Sequence, residues 1–179
     1  MLYAPERFDL NEWFDLFSAA LPLTIAFLLP GRFTLIALTV FTVFSVFMAQ
    51  TVDSLIAVKP YDLYDVNDTV KYDVSDIFIY YFSYPPTTYL FLYFYDKWSP
   101  KGWRRAGYVL AWSLLSWGLE WAAYRCHVFY YKGWKLAYSP IAYVVIYALF
   151  MAMFHMVETV MNREGYPMRR SGQAPPGGS

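Results

Sequence analysis

Hydrophobic and polar residues fall in long blocks along this chain instead of alternating at short range. Phe33 to Val52 has twenty residues without a charge, and Ile77 to Tyr95 and Leu136 to Phe154 have nineteen each. Ala106 to Leu119 has fourteen, and the stretch extends to Tyr124 if one acid, Glu120, is accepted inside it. A fifth stretch, Leu16 to Leu29, becomes long enough to span if its first turn takes in Asn11 to Asp15, with Asn11 as the cap. A hydrocarbon core about 30 Å thick needs about 20 helical residues at about 1.5 Å each. The blocks therefore predict an all-α fold, a polytopic membrane helical bundle with five transmembrane helices at about 12–29, 33–56, 76–96, 105–128 and 139–162. Ser139 as N-cap and Pro140 at the first helical position mark the start of the last helix. Pro30-Gly31 ends the first, and so short a connection predicts a tight antiparallel hairpin of helices one and two.

Composition supports that reading. Hydrophobic residues make up 58% of the chain and charged residues 16%, below the quarter or so usual for soluble domains. Fourteen Lys and Arg balance fourteen Asp and Glu, so no basic excess exists to hold a nucleic-acid backbone. One cysteine, Cys126, excludes an internal disulfide framework and a multi-Cys metal site. No nucleotide loop, dinucleotide fingerprint, nucleophile elbow or HExxH motif occurs, and no cofactor is expected. Glu6, Asp9, Glu12 and Asp15 precede the first apolar stretch where a cleavable signal carries basic residues, so this segment is expected to stay in the protein. From Arg163 the chain turns to Pro, Gly, Ser and Gln, which predicts a single transmembrane domain over 1–162 and a disordered cytoplasmic tail over 163–179.

Orientation follows from Lys and Arg, which are retained on the cytoplasmic side. Five spans with the N-terminus outside put Arg32, Lys97, Lys101, Arg104, Arg105, Arg163, Arg169 and Arg170 inside, eight cations against six elsewhere. The expected location is the plasma membrane, multi-pass, with the C-terminus cytoplasmic. The loop from Asp53 to Asp76 is then external and strongly acidic. Its run Asp65, Asn67, Thr69, Lys71, Asp73, Asp76 imitates a calcium loop but lacks the central glycine and the bidentate Glu. A solvated loop that caps the third span at Ser75-Asp76 is the simpler reading. Asn67-Asp68-Thr69 fits a glycosylation sequon.

Two features carry candidate chemistry. Pro85 and Pro86 interrupt the third span, which must kink or break there, and Tyr84, Thr87 and Thr88 complete a candidate broken-helix site. Carbonyls freed in this way need partners from neighbouring hydroxyls or from a lined cavity. In the fourth span Ser113, Ser116, Glu120, Tyr124 and His127 recur at intervals of three and four and share one helix face. A carboxylate cannot face lipid without cost, so Glu120 should turn into the bundle while Leu110, Leu114 and Ala122 take the other side. His155 and Glu158 add a second pair, three residues apart, near the end of span five. Together these residues fit a polar track spread over depth, open to reading as structural pairing, a proton or ion pathway, or a metal site. Structural pairing is preferred, and no metal ligand set is assigned.

The residues Tyr61-Asp62, Tyr84-Pro85-Pro86, Tyr93 to Trp98, Trp112-Ser113, Ser116, Glu120-Trp121, His127 to Tyr130 and Trp134 to Ser139 carry a resemblance. Over about residues 50 to 160 the chain resembles a family of small polytopic membrane proteins of spore-forming Bacillota. The resemblance implies a bacterial plasma-membrane protein with no assigned reaction, and it transfers no catalytic residues. The expected partners are the lipid bilayer and either another membrane protein or further copies of the chain. A non-enzymatic accessory or interaction subunit is the first functional expectation. A small oligomeric ion or proton channel or transporter with Glu120 near the pathway is the second, and an intramembrane metal or enzyme site the third.

Overall fold

A computed structural model describes residues 8–66 and 77–172 of the chain. The described residues are all-helical in class, with five helices and one small ribbon of sheet. They are α1 (Leu10–Leu28), α2 (Leu35–Ile56), α3 (Tyr84–Trp98), α4 (Trp103–Arg125) and α5 (Ser139–Arg163). Each matches an expected span to within a few residues, except that α3 starts later, after a π turn at Ile79–Ser83. The expected break in the third span therefore falls just before the prolines. Widening the turn to the π geometry places Pro85 and Pro86 in the first turn of α3, where their missing N–H groups remove no established helical bond. Two helical segments, Leu35–Ile56 and Leu136–Arg163, are long and apolar enough to cross a membrane, and most of each faces outward.

Local chemistry sets the boundaries. Asp9, not Asn11, caps α1 in a capping box: its backbone N–H donates to Glu12 Oε2 at 2.8 Å, and its own carboxylate accepts from the Asn11 N–H. Asn11 lies inside the first turn and is buried. Leu29 is extended before Pro30, as a residue preceding proline prefers, and α1 stops there. Ser99 takes the left-handed conformation that ends α3, one residue before Pro100. The α4 helix ends at Arg125, and the following His127 has φ 61°.

The expected hairpin of α1 and α2 does not form. Both helices pack on α3 instead, while α5 lies against α4 and more lightly against α2 and α3. The reason is in α3 itself, whose Leu90, Phe91, Leu92, Tyr93 and Tyr95 are all buried and offer apolar surface on every side. Phe33 is buried completely, with its ring edge-on to Phe41 at 5.2 Å and to Phe154 at 6.0 Å. Phe91 meets Tyr147 at 4.6 Å and Tyr108 at 5.2 Å. The core is thus a continuous aromatic column centred on α3, held by area and by edge-to-face contacts.

Alternate connections gather at the two ends. At one end β1 (Tyr64–Val66) pairs antiparallel with β2 (Phe129–Tyr131), Tyr64 opposite Tyr131. The Leu63 carbonyl accepts N–H bonds from Lys132, Gly133 and Trp134 at 2.9 to 3.0 Å. Lys132 reaches Asp62 and Asp65, both at 2.9 Å, and hydrogen bonds to Asp62 and then Asp65 hold its ammonium above the usual pKa. Asp65 is therefore tied to Lys132, while the remainder of the calcium-like run, the Asn67 sequon and the Ser75-Asp76 cap lie outside the described residues.

At the other end the chain after α5 folds back. The expectation of a disordered tail fails for 164–172: the Thr34 N–H donates to the Met168 carbonyl at 2.9 Å and the Arg170 N–H to the Arg32 carbonyl at 2.9 Å. Phe33 and Arg169 form an isolated β-bridge, and Met168 is only 2% exposed. Composition concealed this because one buried methionine and two paired arginines fix the segment, without any apolar run. Residues 173–179 lie outside the described residues. Replacing Met168 by Ala should lower unfolding stability by about 2–5 kcal/mol, whereas the exposed Met156→Ala should stay within about 0.5 kcal/mol. Denaturant titration of the purified protein measures both, and equal small effects would contradict a packed tail.

Candidate functional site

At the ribbon end, Glu120 is 8% exposed and turned inward from α4. Its Oε1 accepts from the Tyr131 hydroxyl at 2.6 Å and the Ser139 hydroxyl at 2.7 Å. Ser139 in turn accepts from the Trp134 indole N–H at 2.9 Å. The residue expected to cap α5 thus orients a carboxylate instead, and Tyr138 occupies the cap position. Burial, together with the bond given to Glu120, holds the Tyr131 phenol above its ordinary range, so it remains a donor. Tyr143 lies beside the same carboxyl. No described hydrogen bond closes on the second oxygen, Oε2. A neighbouring carboxylate, Asp53 on α2, accepts from the Tyr64 and Tyr80 hydroxyls.

At the tail end, Asp96 is 3% exposed and lies between two guanidinium groups. Arg32, from the turn before α2, donates to it through Nε. Arg169 donates to Asp96 Oδ1 at 2.9 Å and, through Nη2, to Glu158 Oε1 at 2.6 Å. His155 Nδ1 lies 3.6 Å from Glu158 Oε2, and its Nε2 is 2.8 Å from the Tyr95 hydroxyl. The Arg32 guanidinium also stands over the Tyr93 ring, 5.8 Å from its centroid. Two cations thus face two carboxylates, one of them deeply buried, with His155 at the margin.

The expected track is therefore divided. Ser139 and Glu158 are 19 residues apart on α5, which separates the two centres by about 28 Å along the helix. Between them Ser116 pairs with Tyr147 at 2.6 Å, and Ser113 bonds back to its own helix at the Val109 carbonyl. The Phe91 ring lies against both Tyr147 and Tyr95, so an apolar ring stands where a hydrogen-bonded chain would have to pass. Tyr124 is 45% exposed and stacks on Tyr131, 5.1 Å away. His127 falls beyond the helix and is exposed, stacked on Tyr130 at 6.5 Å, because α4 ends earlier than the spacing predicts. Among the described residues no three His, Cys, Asp or Glu side chains converge as a metal would require.

The broken-helix site closes on itself. Thr88 bonds Ser45 of α2 at 2.8 Å, Thr87 bonds the Ser83 carbonyl at 2.8 Å, and Ser83 bonds the Ser18 carbonyl of α1 at 3.1 Å. Pro85 and Pro86 are buried, and Tyr84 lies near Tyr80, ring centroids 6.0 Å apart. These hydroxyls join α3 to its neighbours, and two open grooves lie elsewhere, beside Tyr124 to Tyr131 and beside Trp98 to Arg104.

Asp96, Arg32 and Arg169 were the functional-looking group that spacing missed. The available signal was a single acid, one residue ahead of the basic Lys97 to Arg105 cluster, at the end of an otherwise uncharged span. No protein-family model matches the chain, and neither a curated protein nor a solved structure matches it.

Two substitutions separate the centres. Asp96→Asn leaves two guanidinium groups undercompensated and should cost about 3–5 kcal/mol of unfolding stability. Glu120→Gln keeps shape and acceptor and should be nearly silent, while Glu120→Leu strands the Tyr131 and Ser139 hydroxyls and should cost about 1–3 kcal/mol. Thermal or denaturant unfolding in detergent measures all three, and a Glu120→Leu protein as stable as wild type would remove Glu120 from the structural account.

Proposed function

We propose that this chain is a five-span plasma-membrane protein acting without catalysis, as an accessory or interaction subunit against another membrane protein or further copies of itself. The observation that carries the reading is a division of labour between inside and outside. Polar side chains such as Ser45 with Thr88 and Ser116 with Tyr147 pair inside the described helices, while four helices turn apolar stripes outward. On α1 these are Trp13, Phe17, Leu21, Ile25 and Leu28, and on α2 Ile36, Val40, Val43 and Phe47. Leu110, Leu114, Trp117 and Trp121 form the stripe of α4, and Ile141, Val145, Leu149, Met156 and Val160 that of α5. Soluble monomers seldom expose apolar patches beyond a few hundred square ångströms, and a bilayer covers such faces without loss. The central α3 exposes no large apolar residue between Tyr84 and Lys97, as suits a span enclosed by the others.

The cation distribution supports a cytoplasmic tail end and an external ribbon end. The resemblance to the Bacillota family implies a bacterial plasma membrane and brings no assigned reaction. A second reading, an oligomeric ion or proton pathway, draws on one observation: the Glu120 Oε2 oxygen is buried inside the chain, beside Tyr143, with no described hydrogen bond. The aromatic barrier at Phe91 argues against such a pathway within one copy.

Purification from native membranes tests the first reading, with a stoichiometric partner or a defined oligomer as the expected result. Proton or ion flux from the pure protein in liposomes, abolished by Glu120→Gln without loss of folded protein, would replace it with the second. Topology is checked with single cysteines in a Cys126→Ser background. Lys59→Cys should react with an impermeant maleimide in intact cells and Lys101→Cys only after permeabilisation, and the reverse pattern would invert the orientation.

A further inference from the structure

The cations at the tail end fall into two groups. Arg32 and Arg169 are neutralised inside the protein by Asp96 and Glu158. Lys97 in the last turn of α3, Lys101 in the connection, and Arg104 and Arg105 in the first turn of α4 fall within nine residues, and no acid follows them before Glu120. No ion pair with any described acid engages these four, although the chain as a whole is charge-balanced. Lys97 stands over the Tyr93 ring and Arg105 donates to the Pro100 carbonyl at 2.9 Å, which leaves the Lys101 and Arg104 head groups uncommitted.

Those two side chains share a groove of about 410 Å³ with Trp98, Ser99, Pro100 and Trp103. Trp98 is 61% exposed and Trp103 82%, an arrangement a soluble surface avoids. Indoles with an apolar face and a polar N–H settle at the headgroup level of a bilayer, and unpaired Lys and Arg there attract phosphate. Two residues of positive φ, Ser99 at 42° and Gly102 at 55°, shape the backbone between the two tryptophans.

We propose that this groove binds the headgroup of an anionic phospholipid, its phosphate between Lys101 and Arg104 and its acyl chains beside Trp98 and Trp103. The inference rests on the membrane reading above. A free phosphate offers the same charge, but the open groove and its flanking indoles favour the lipid as source.

The test uses the full chain in a neutral detergent, titrated with dihexanoyl-phosphatidylglycerol, dihexanoyl-phosphatidylcholine and sodium phosphate while tryptophan emission is followed. The expected result is saturable binding of phosphatidylglycerol alone, weakening steeply between about 50 and 500 mM salt as a screened contact must. Lys101→Gln with Arg104→Gln should weaken it about tenfold, and Lys132→Gln with Lys135→Gln at the opposite end should leave it unchanged. Equal response to phosphatidylcholine, a salt-independent response, or undiminished binding by the first double variant overturns the proposal. Competition by phosphate at matched concentration also overturns it, in favour of a free-anion site. Should the first double variant not fold, Arg104→Gln alone and the wild-type salt series decide the same question. Failure of the membrane reading looks different: the protein would then stay monodisperse without detergent, whatever it binds.

Discussion

A carboxylate removed from water must be compensated by charge, and at Asp96 the compensation comes from two places distant in the chain. Arg32 reaches it from the turn before α2 and Arg169 from the segment after α5. Three chain segments thereby meet at one side chain that ends α3. The rest of the tail end follows from that meeting: Phe33 and Met168 are buried beside their arginines, and the Thr34 and Arg170 amides find carbonyls across the β-bridge. A buried ion pair adds little net stability against a well-packed apolar substitute. Its effect here is positional: it holds the turn before α2 and the segment after α5 against the end of α3.

The ribbon end is held differently. Neutral donors surround Glu120, and a short backbone ladder joins the two long loops. Hydroxyl-to-carboxylate bonds are directional and local, so this end fixes rotamers and loop register, whereas the tail end fixes which segments are neighbours. Between the ends lies an aromatic column with few polar groups, dominated by Phe33, Phe41, Phe91, Tyr147 and Phe154. Both ends can thus be polar without a connecting path through the middle.

The helices were legible because length and absence of charge are one-dimensional properties. Five uncharged blocks became five helices, and the inward turn of Glu120 was expected from the cost of leaving a carboxylate on an apolar face. Partnerships were not legible. Nothing in the spacing of Ser139 or Tyr131 says that their hydroxyls meet Glu120, since those contacts cross between elements. The α1–α2 connection looked like a hairpin because it is short, yet α3 offered both helices more apolar surface than they offered each other. His127 was placed on a helix face that ends two residues too soon, and boundary errors of that size are enough to move a side chain off a site. The tail was misjudged for a related reason: composition averages over a segment, while order here depends on a few contacts of Met168, Arg169 and Arg170.

Synthesis order gives the Asp96 junction a temporal meaning. Arg32 is made 64 residues before Asp96, so this pair can close as soon as α3 is in place. Arg169 comes 73 residues after Asp96, behind the whole of α4, the ribbon and α5. Until then the Asp96 carboxylate has one of its two guanidinium partners. Arrival of the last segment supplies the second and joins the turn before α2 to the chain after α5. Chain order thus makes the Asp96–Arg169 contact the later of the two to become possible.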